Sequence, residues 1–335
     1  MIHPWQKIQW QQISQLLESD RLPHALLLHG NQGLGKADFA RALAAAVLCK
    51  QPSTDFQACG SCSACHLLAA KTHPDMYSLK PTASGKSKSK NPVLNIRIDE
   101  IRSLCEKLNQ TSQFSGYRVA ILDQADKLTI SAANSLLKTL EEPGQKVLLI
   151  LVSARTYRLP ITIRSRCQSI RFNMPDEQTS LQWLKTHLSS LDNLPAYSDV
   201  QLQQALNLAF GSPLTTIEYL QDMEYQQILS EALTASLSGK NSLDYAAQLA
   251  KYTKIKTLEG MLSWTSDLTK LSACGTECKI INEQHRKQLQ TLAQKVNQQR
   301  LYRFHDQLNF NILHSSIAVN EQLLWENLLL SWDNL

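Results

Sequence analysis

Long apolar runs are missing from this chain of 335 residues. A membrane-spanning helix needs about 18–20 consecutive apolar residues. The longest stretch here is Ala42–Cys49, suited to a packed helix, and the next is Val147–Val152, suited to a buried strand. A spanning helix is therefore excluded. The opening residues Met1-Ile2-His3-Pro4-Trp5-Gln6 lack the basic segment and apolar stretch of a secretory signal, so a cytoplasmic protein is expected. Glycine and proline are scarce, at 11 each. That excludes collagen-like and low-complexity chains and argues against an all-β protein with many tight turns. Neither charge sign dominates: the net charge is +5, too small to imply nucleic-acid binding by itself. With 43% apolar and 19% charged residues, the chain can bury a core. Its length suggests about two domains, or three small ones.

What is present divides into two halves. The first alternates strand and helix patterns. Ala25–Gly30 reads as a buried strand, and Lys36–Leu48 as a helix with Phe39, Leu43, Ala46 and Val47 on one face. Val93–Ile98 alternates like a strand, after which Asp99 is placed to cap a helix carrying Ile101, Leu104 and Leu108. Val119–Asp123 is another strand, Ser131–Glu142 a helix stopped by Pro143, and Val147–Val152 and Gln168–Phe172 are further strands. Such alternation implies a parallel sheet covered by helices. The basic, aperiodic run Ser84–Pro92 reads as a surface loop. After Pro175 only helical spacing remains, as at Leu202, Leu206 and Ala209. The fold class is therefore α/β followed by all-α.

The strongest local signal is Gly30-Asn-Gln-Gly33-Leu-Gly35-Lys36-Ala37. It has the P-loop spacing G-x-x-x-x-G-K between a strand and a helix. Glycines let backbone N–H groups wrap a phosphate, and the lysine reaches the terminal phosphates. The next residue in a working P-loop is Ser or Thr, whose hydroxyl binds Mg²⁺; Ala37 has no such atom. Asp123 ends the strand Val119–Asp123, where a Mg²⁺-coordinating Asp belongs. Gln124 follows it where hydrolysing relatives carry a water-polarising Glu, and an amide cannot act as a general base. The phosphate cradle is kept while the metal handle and the base are gone. ATP or ADP binding at Lys36 stays open.

Eight cysteines are present, four of them crowded into Cys49, Cys59, Cys62 and Cys65. In a long chain without a signal, that spacing points to a closed tetrahedral Zn²⁺ site of structural role. An iron–sulfur cluster is the rival, but Ala69 and Ala70 stand where a ferredoxin run would place its fourth Cys. His66 and His73 could replace a Cys ligand, but each reads first as a surface or core histidine. Cys105 and Cys167 read as core residues, and Cys274 and Cys278 receive no role. Gln57–Leu68 lacks the basic and aromatic clustering of a nucleic-acid-reading knuckle. Finally, Arg164-Ser165-Arg166-Cys167 precedes the last strand.

Together these residues resemble the AAA+ clamp-loader family, and within it the delta-prime subunits of bacterial DNA polymerase III. The segments that carry the resemblance are the P-loop region, the four-Cys insert, Asn134-Ser-Leu-Leu-Lys-Thr-Leu-Glu-Glu-Pro143 and Ile163-Arg-Ser-Arg-Cys167. The resemblance implies a RecA-like AAA+ domain with a zinc module over 1–172, a helical lid over 173–211 and a helical collar over 212–335. It also implies a hetero-pentameric ring with gamma/tau and delta chains that handles a sliding clamp and primer-template DNA. In that ring Arg166 would act in trans on a neighbour's ATP. Gamma/tau motors carry a sensor Arg after the lid's Gly-Ser-Pro, where this chain has Leu214, and tau has long C-terminal extensions. Ala37, Gln124 and Leu214 therefore favour a non-hydrolysing subunit. The alternatives are an ATP-hydrolysing subunit using Lys36 and Asp123, and a DNA-binding zinc module.

Overall fold

The computed structural model describes residues 2–83, 94–114, 116–190, 197–238, 240–275, 277–315, 317 and 319–335. The run Ser84–Pro92 and Val93 lie outside the described residues. The chain forms two compact units, Met1–Thr179 and Ser180–Leu335.

The first unit is built on a parallel sheet. Its strands are β1 (Ala25–His29), β2 (Met76–Leu79), β3 (Arg118–Leu122), β4 (Val147–Ser153) and β5 (Gln168–Arg171). Their spatial order is β2-β3-β4-β1-β5. β1 lies beside β4, with Ala25 opposite Leu149 and His29 opposite Ser153, and on its other edge beside β5. β4 pairs with β3, and β3 with β2.

Unbroken apolar strands follow from burial on both faces. Leu26, Leu28, Val119, Ile121, Leu148, Ile150 and Val152 join one cluster with Trp10, Ile13, Phe39 and Leu43. The alternate residues Ala25, Leu27, Ala120, Leu122, Leu149 and Leu151 join the opposite cluster with Ile101, Leu104, Leu136 and Leu140. One face is covered by helices α1 (Lys7–Glu18) and α2 (Lys36–Leu48), which α3 (Ser63–Ala69) follows in sequence. The other is covered by α4 (Ile98–Asn109) and α5 (Ile130–Glu141). Each fully buried Leu or Ile contributes about 1.5–3 kcal/mol, so this double layer dominates the unit's stability.

Two local expectations are corrected. The strand expected up to Ile98 shrinks to Leu94–Asn95, antiparallel to Thr82–Ala83. Helix α4 starts at Ile98, so Asp99 lies inside its first turn and Arg97 is the cap residue. The Glu100 carboxylate accepts the Arg97 N–H at 2.8 Å, and Asp99 faces the positive end of the helix dipole.

The short helix α6 (Ile161–Arg164) precedes β5, and α7 (Glu177–Ser189) follows it. The second unit is helical in its described residues: α8 (Asp199–Leu208), α9 (Pro213–Gln221), α10 (Met223–Thr234), α11 (Ala246–Leu249), α12 (Lys254–Cys274), α13 (Arg286–Ala293), α14 (Gln298–Leu313) and α15 (Glu321–Asp333). It has a small cluster of Leu202, Ala205 and Leu220 and a large one around Tyr225, Met261, Trp264, Phe304, Trp325 and Trp332. Helices α10 and α12 meet at Gly260. A Cβ there would stand 2.6 Å from Leu229 Cδ2 and 2.8 Å from the Tyr225 hydroxyl, which itself donates to the Lys256 carbonyl at 3.0 Å. No helix among the described residues is long and apolar enough to cross a membrane.

Candidate functional site

The P-loop leaves the C-terminal end of β1 and enters α2. At Gly30, φ is +146°, and a Cβ would stand 2.3 Å from the Phe172 carbonyl oxygen. Gly35 caps α2 in the left-handed region at φ +72°. A side chain at either position is excluded by backbone conformation and by space. Lys36 is buried. Its ammonium donates to the Gly30 carbonyl at 2.8 Å and to that of Asn31. Burial pulls its pKa from the ordinary 10.5 down to about 8, opposed by the charges of Asp126 and then Asp123.

Asp123 follows β3 and pairs with Lys80 at 3.5 Å. Asp126, which the sequence reading passed over, accepts the Ser153 hydroxyl at 3.1 Å and the Ala154 N–H at 3.2 Å. It thus ties the turn after β3 to the end of β4. Gln124 sits between the two acids in the left-handed region at φ +56°. Ala37 is half-buried in the first turn of α2.

The loop is braced from behind by the chain's first residues. Gln6 is fully buried, and its amide donates to the carbonyls of Leu34 at 2.8 Å and Gly35 at 3.0 Å. The Trp5 indole donates to the Leu34 carbonyl at 3.1 Å and stacks on His3, ring centroids 4.8 Å apart. His3 lies 3.5 Å from Asp38. Its hydrogen bond, with that of Arg41, holds the Asp38 carboxyl near 2 against the opposing effect of burial. Such contacts span 28–29 residues, beyond the reach of local sequence patterns.

The four cysteines expected to bind metal converge. All four sulfurs lie within 4.8 Å of one another. The Cys49–Cys62 and Cys59–Cys65 separations are 3.9 Å, and Cys49–Cys65 is 3.7 Å. A tetrahedron with Zn–S bonds of about 2.3 Å has edges of about 3.8 Å. The donor set therefore fits such a metal ion. The Cys49 and Cys59 sulfurs accept backbone N–H groups from Cys59 and Cys62 at 3.3 and 3.4 Å. Hydrogen bonds from the Ser61 N–H and hydroxyl, then the Cys62 N–H, lower the Cys59 thiol to about 6, whereas burial pushes Cys65 up to about 12. Neither histidine joins the cluster. His66 lies on α3, and buried His73 accepts the Asp75 N–H at 3.2 Å. Cys105 and Cys167 pack at the edge of the sheet core as expected.

Arg166 follows α6 on the surface of the first unit. It pairs with Glu141, the last residue of α5, at 2.6 Å and donates to the Thr162 carbonyl at 3.0 Å. Arg164 is half-buried, and its Nε has no hydrogen-bond partner among the described residues. Leu214 lies half-buried in the first turn of α9, in the second unit.

Residues 5–176 match the family described as DNA polymerase III, delta subunit, and residues 221–334 match its C-terminal family. The DNA polymerase III subunit delta' of Pseudomonas aeruginosa is 33% identical, across 100% of this chain and 98% of that one. The chain belongs to the DNA polymerase III delta-prime family. The delta' subunit of Yersinia pestis is 32% identical over 99% of this chain and 95% of its own length. The DNA polymerase III subunit tau of Bacillus subtilis is 27% identical over 86% of this chain but only 53% of its own. The parallel strand order and the P-loop between β1 and α2 agree with the α/β class expected of the first unit.

Proposed function

We propose that this chain is a non-hydrolysing subunit of a clamp loader that lends Arg166 to the ATP site of a neighbouring subunit. The observation that carries it is the chemistry beside Lys36 and Asp123. Ala37 offers no oxygen to Mg²⁺, and Gln124 offers no carboxylate to an attacking water. Arg166, by contrast, stands at the surface, within reach of another chain. The partners are those the family resemblance supplies: gamma/tau and delta subunits in a pentameric ring, acting on a sliding clamp at primer-template DNA. Cys49, Cys59, Cys62 and Cys65 hold a structural Zn²⁺. Four thiolates leave no position for a substrate or water, so the ion's role is to close the loop between α2 and α3. The division into a sheet domain over 1–172, a lid over 173–211 and a collar over 212–335 belongs to the same proposal. Two separate apolar clusters in the helical unit support a lid distinct from a collar, although Leu220 of α9, beyond the proposed boundary at 211, packs with the first of them.

The test is clamp- and DNA-stimulated ATP turnover in a reconstituted loader carrying wild-type chain or Arg166→Ala, with assembly checked by gel filtration. An assembled mutant whose turnover drops by about tenfold or more supports the finger, in line with the size of such effects. Unchanged turnover refutes it. Steady turnover by the isolated chain, abolished in Lys36→Ala, would instead establish the hydrolysing alternative.

A further inference from the structure

The ion pair between Arg166 and Glu141 does more than decorate the surface. Glu141 ends α5, where the exposed carbonyls give the helix its negative pole and a carboxylate is unfavourable. The residue therefore works against its own helix. The Glu141 carboxylate binds one terminal nitrogen of the guanidinium, and the Thr162 carbonyl binds the other. A phosphate gripped by an arginine uses the same fork of N–H groups. It would also meet the negative charge of Glu141 at close range.

We infer that Glu141 parks Arg166, and that a neighbour's nucleotide draws the guanidinium away from it. This rests on the trans-finger reading above and concerns its regulation. In the parked state the arginine is neutralised and fixed in one rotamer. In the working state Glu141 is released to solvent and Arg166 reaches across to the phosphate. The pair is partly solvated, with side chains 36% and 50% exposed. Its hold is that of a surface ion pair, which sets the cost of release at about a twofold to fivefold change in an equilibrium. Such a latch is weak enough for a bound phosphate to open.

The experiment is a four-way comparison in the reconstituted loader: wild type, Glu141→Gln, Arg166→Ala and the double variant. ATP turnover is measured against ATP concentration, with assembly and thermal stability followed in parallel. Glu141→Gln is expected to raise kcat/KM by about twofold to fivefold, and to change nothing once Arg166 is already Ala. A merely structural role for Glu141 would act equally in both backgrounds. Glu141→Ala serves as a second variant and should move turnover in the same direction. If Arg166→Ala lowers turnover but Glu141→Gln leaves kcat/KM unchanged or lowers it, the latch is overturned and the finger stands. If Arg166→Ala has no effect, the finger reading falls and the latch with it.

Discussion

Stripping the metal from the cysteine cluster should loosen one loop and leave the sheet standing. The four sulfurs already lie at separations of 3.7–3.9 Å along three edges of their tetrahedron, within about 0.1 Å of the edge a zinc ion requires. An ion held by those sulfurs acts as a cross-link between Cys49 and Cys65. Closing a loop of about 15 residues removes about 3 kcal/mol of chain entropy, which corresponds to a factor of about a hundred in local opening. The main apolar clusters of the first unit draw no buried member from between Leu48 and Val119 except Ile96, Ile101, Leu104 and Leu108. The segment can therefore open without exposing the sheet core. The hydrogen bond from the Trp10 indole to the Asp55 carbonyl, at 3.0 Å, ties it to α1. Metal analysis should find one zinc per chain. After chelation, hydrogen exchange of the amides between Cys49 and Cys65 should accelerate about a hundredfold, while amides of β1, β3 and β4 keep their protection. Chain purified without metal, or with iron and visible absorbance, would refute the assignment. Unchanged exchange after chelation would refute the cross-link argument.

Three further outcomes follow from the P-loop geometry. Lys36 titrates at about 8 in the fold against an ordinary 10.5, so the unfolded chain binds the extra proton between those values and stability rises with pH across that window. Below pH 8 the penalty for burying the charge, about 3 kcal/mol, is fully present. The gap in thermal midpoint between Lys36→Met and wild type should therefore shrink as pH climbs from 7 to 10, and a constant gap would contradict it. Gly30→Ala combines a positive φ with a 2.3 Å approach to the Phe172 carbonyl and should cost about 2–3 kcal/mol; an unchanged urea midpoint would show that the loop relaxes freely. Gln6→Ala removes two bonds from the back of the loop and should cost about 1–3 kcal/mol, read by the same titration.

The segments legible in the sequence were those whose structure is local. Helix α2 runs over Lys36–Leu48 as its periodicity indicates, because Gly35 starts it and its apolar face is continuous. The buried strands β1, β3 and β4 announced themselves as apolar runs because both sheet faces are covered. The edge strand β2 gave no such signal: Met76–Leu79 is only partly buried, so neither a run nor an alternation marks it. Val93–Ile98 misled for the opposite reason. Among its described residues, Leu94 and Asn95 pair with Ala83 and Thr82, and Ile96 bridges to Leu128 rather than joining the main sheet. At the site, spacing alone gathered the four cysteines. The brace of His3, Trp5 and Gln6, the tie from Asp126 to Ser153 and the pairing of Arg166 with Glu141 all cross between elements, and no periodicity encodes them.

The meeting of α10 and α12 at Gly260 has a consequence for how this family can drift. A methyl group at that position needs room that Leu229 and the Tyr225 hydroxyl now occupy. Neither neighbour can yield alone, because Tyr225 is held by its bond to the Lys256 carbonyl and both side chains are fully buried. A side chain at 260 therefore needs a compensating change at 225, at 229 or in the spacing of the two helices. A relative with Ala at 260 should carry a smaller residue at 229, a Phe at 225, or a wider spacing between the two helices.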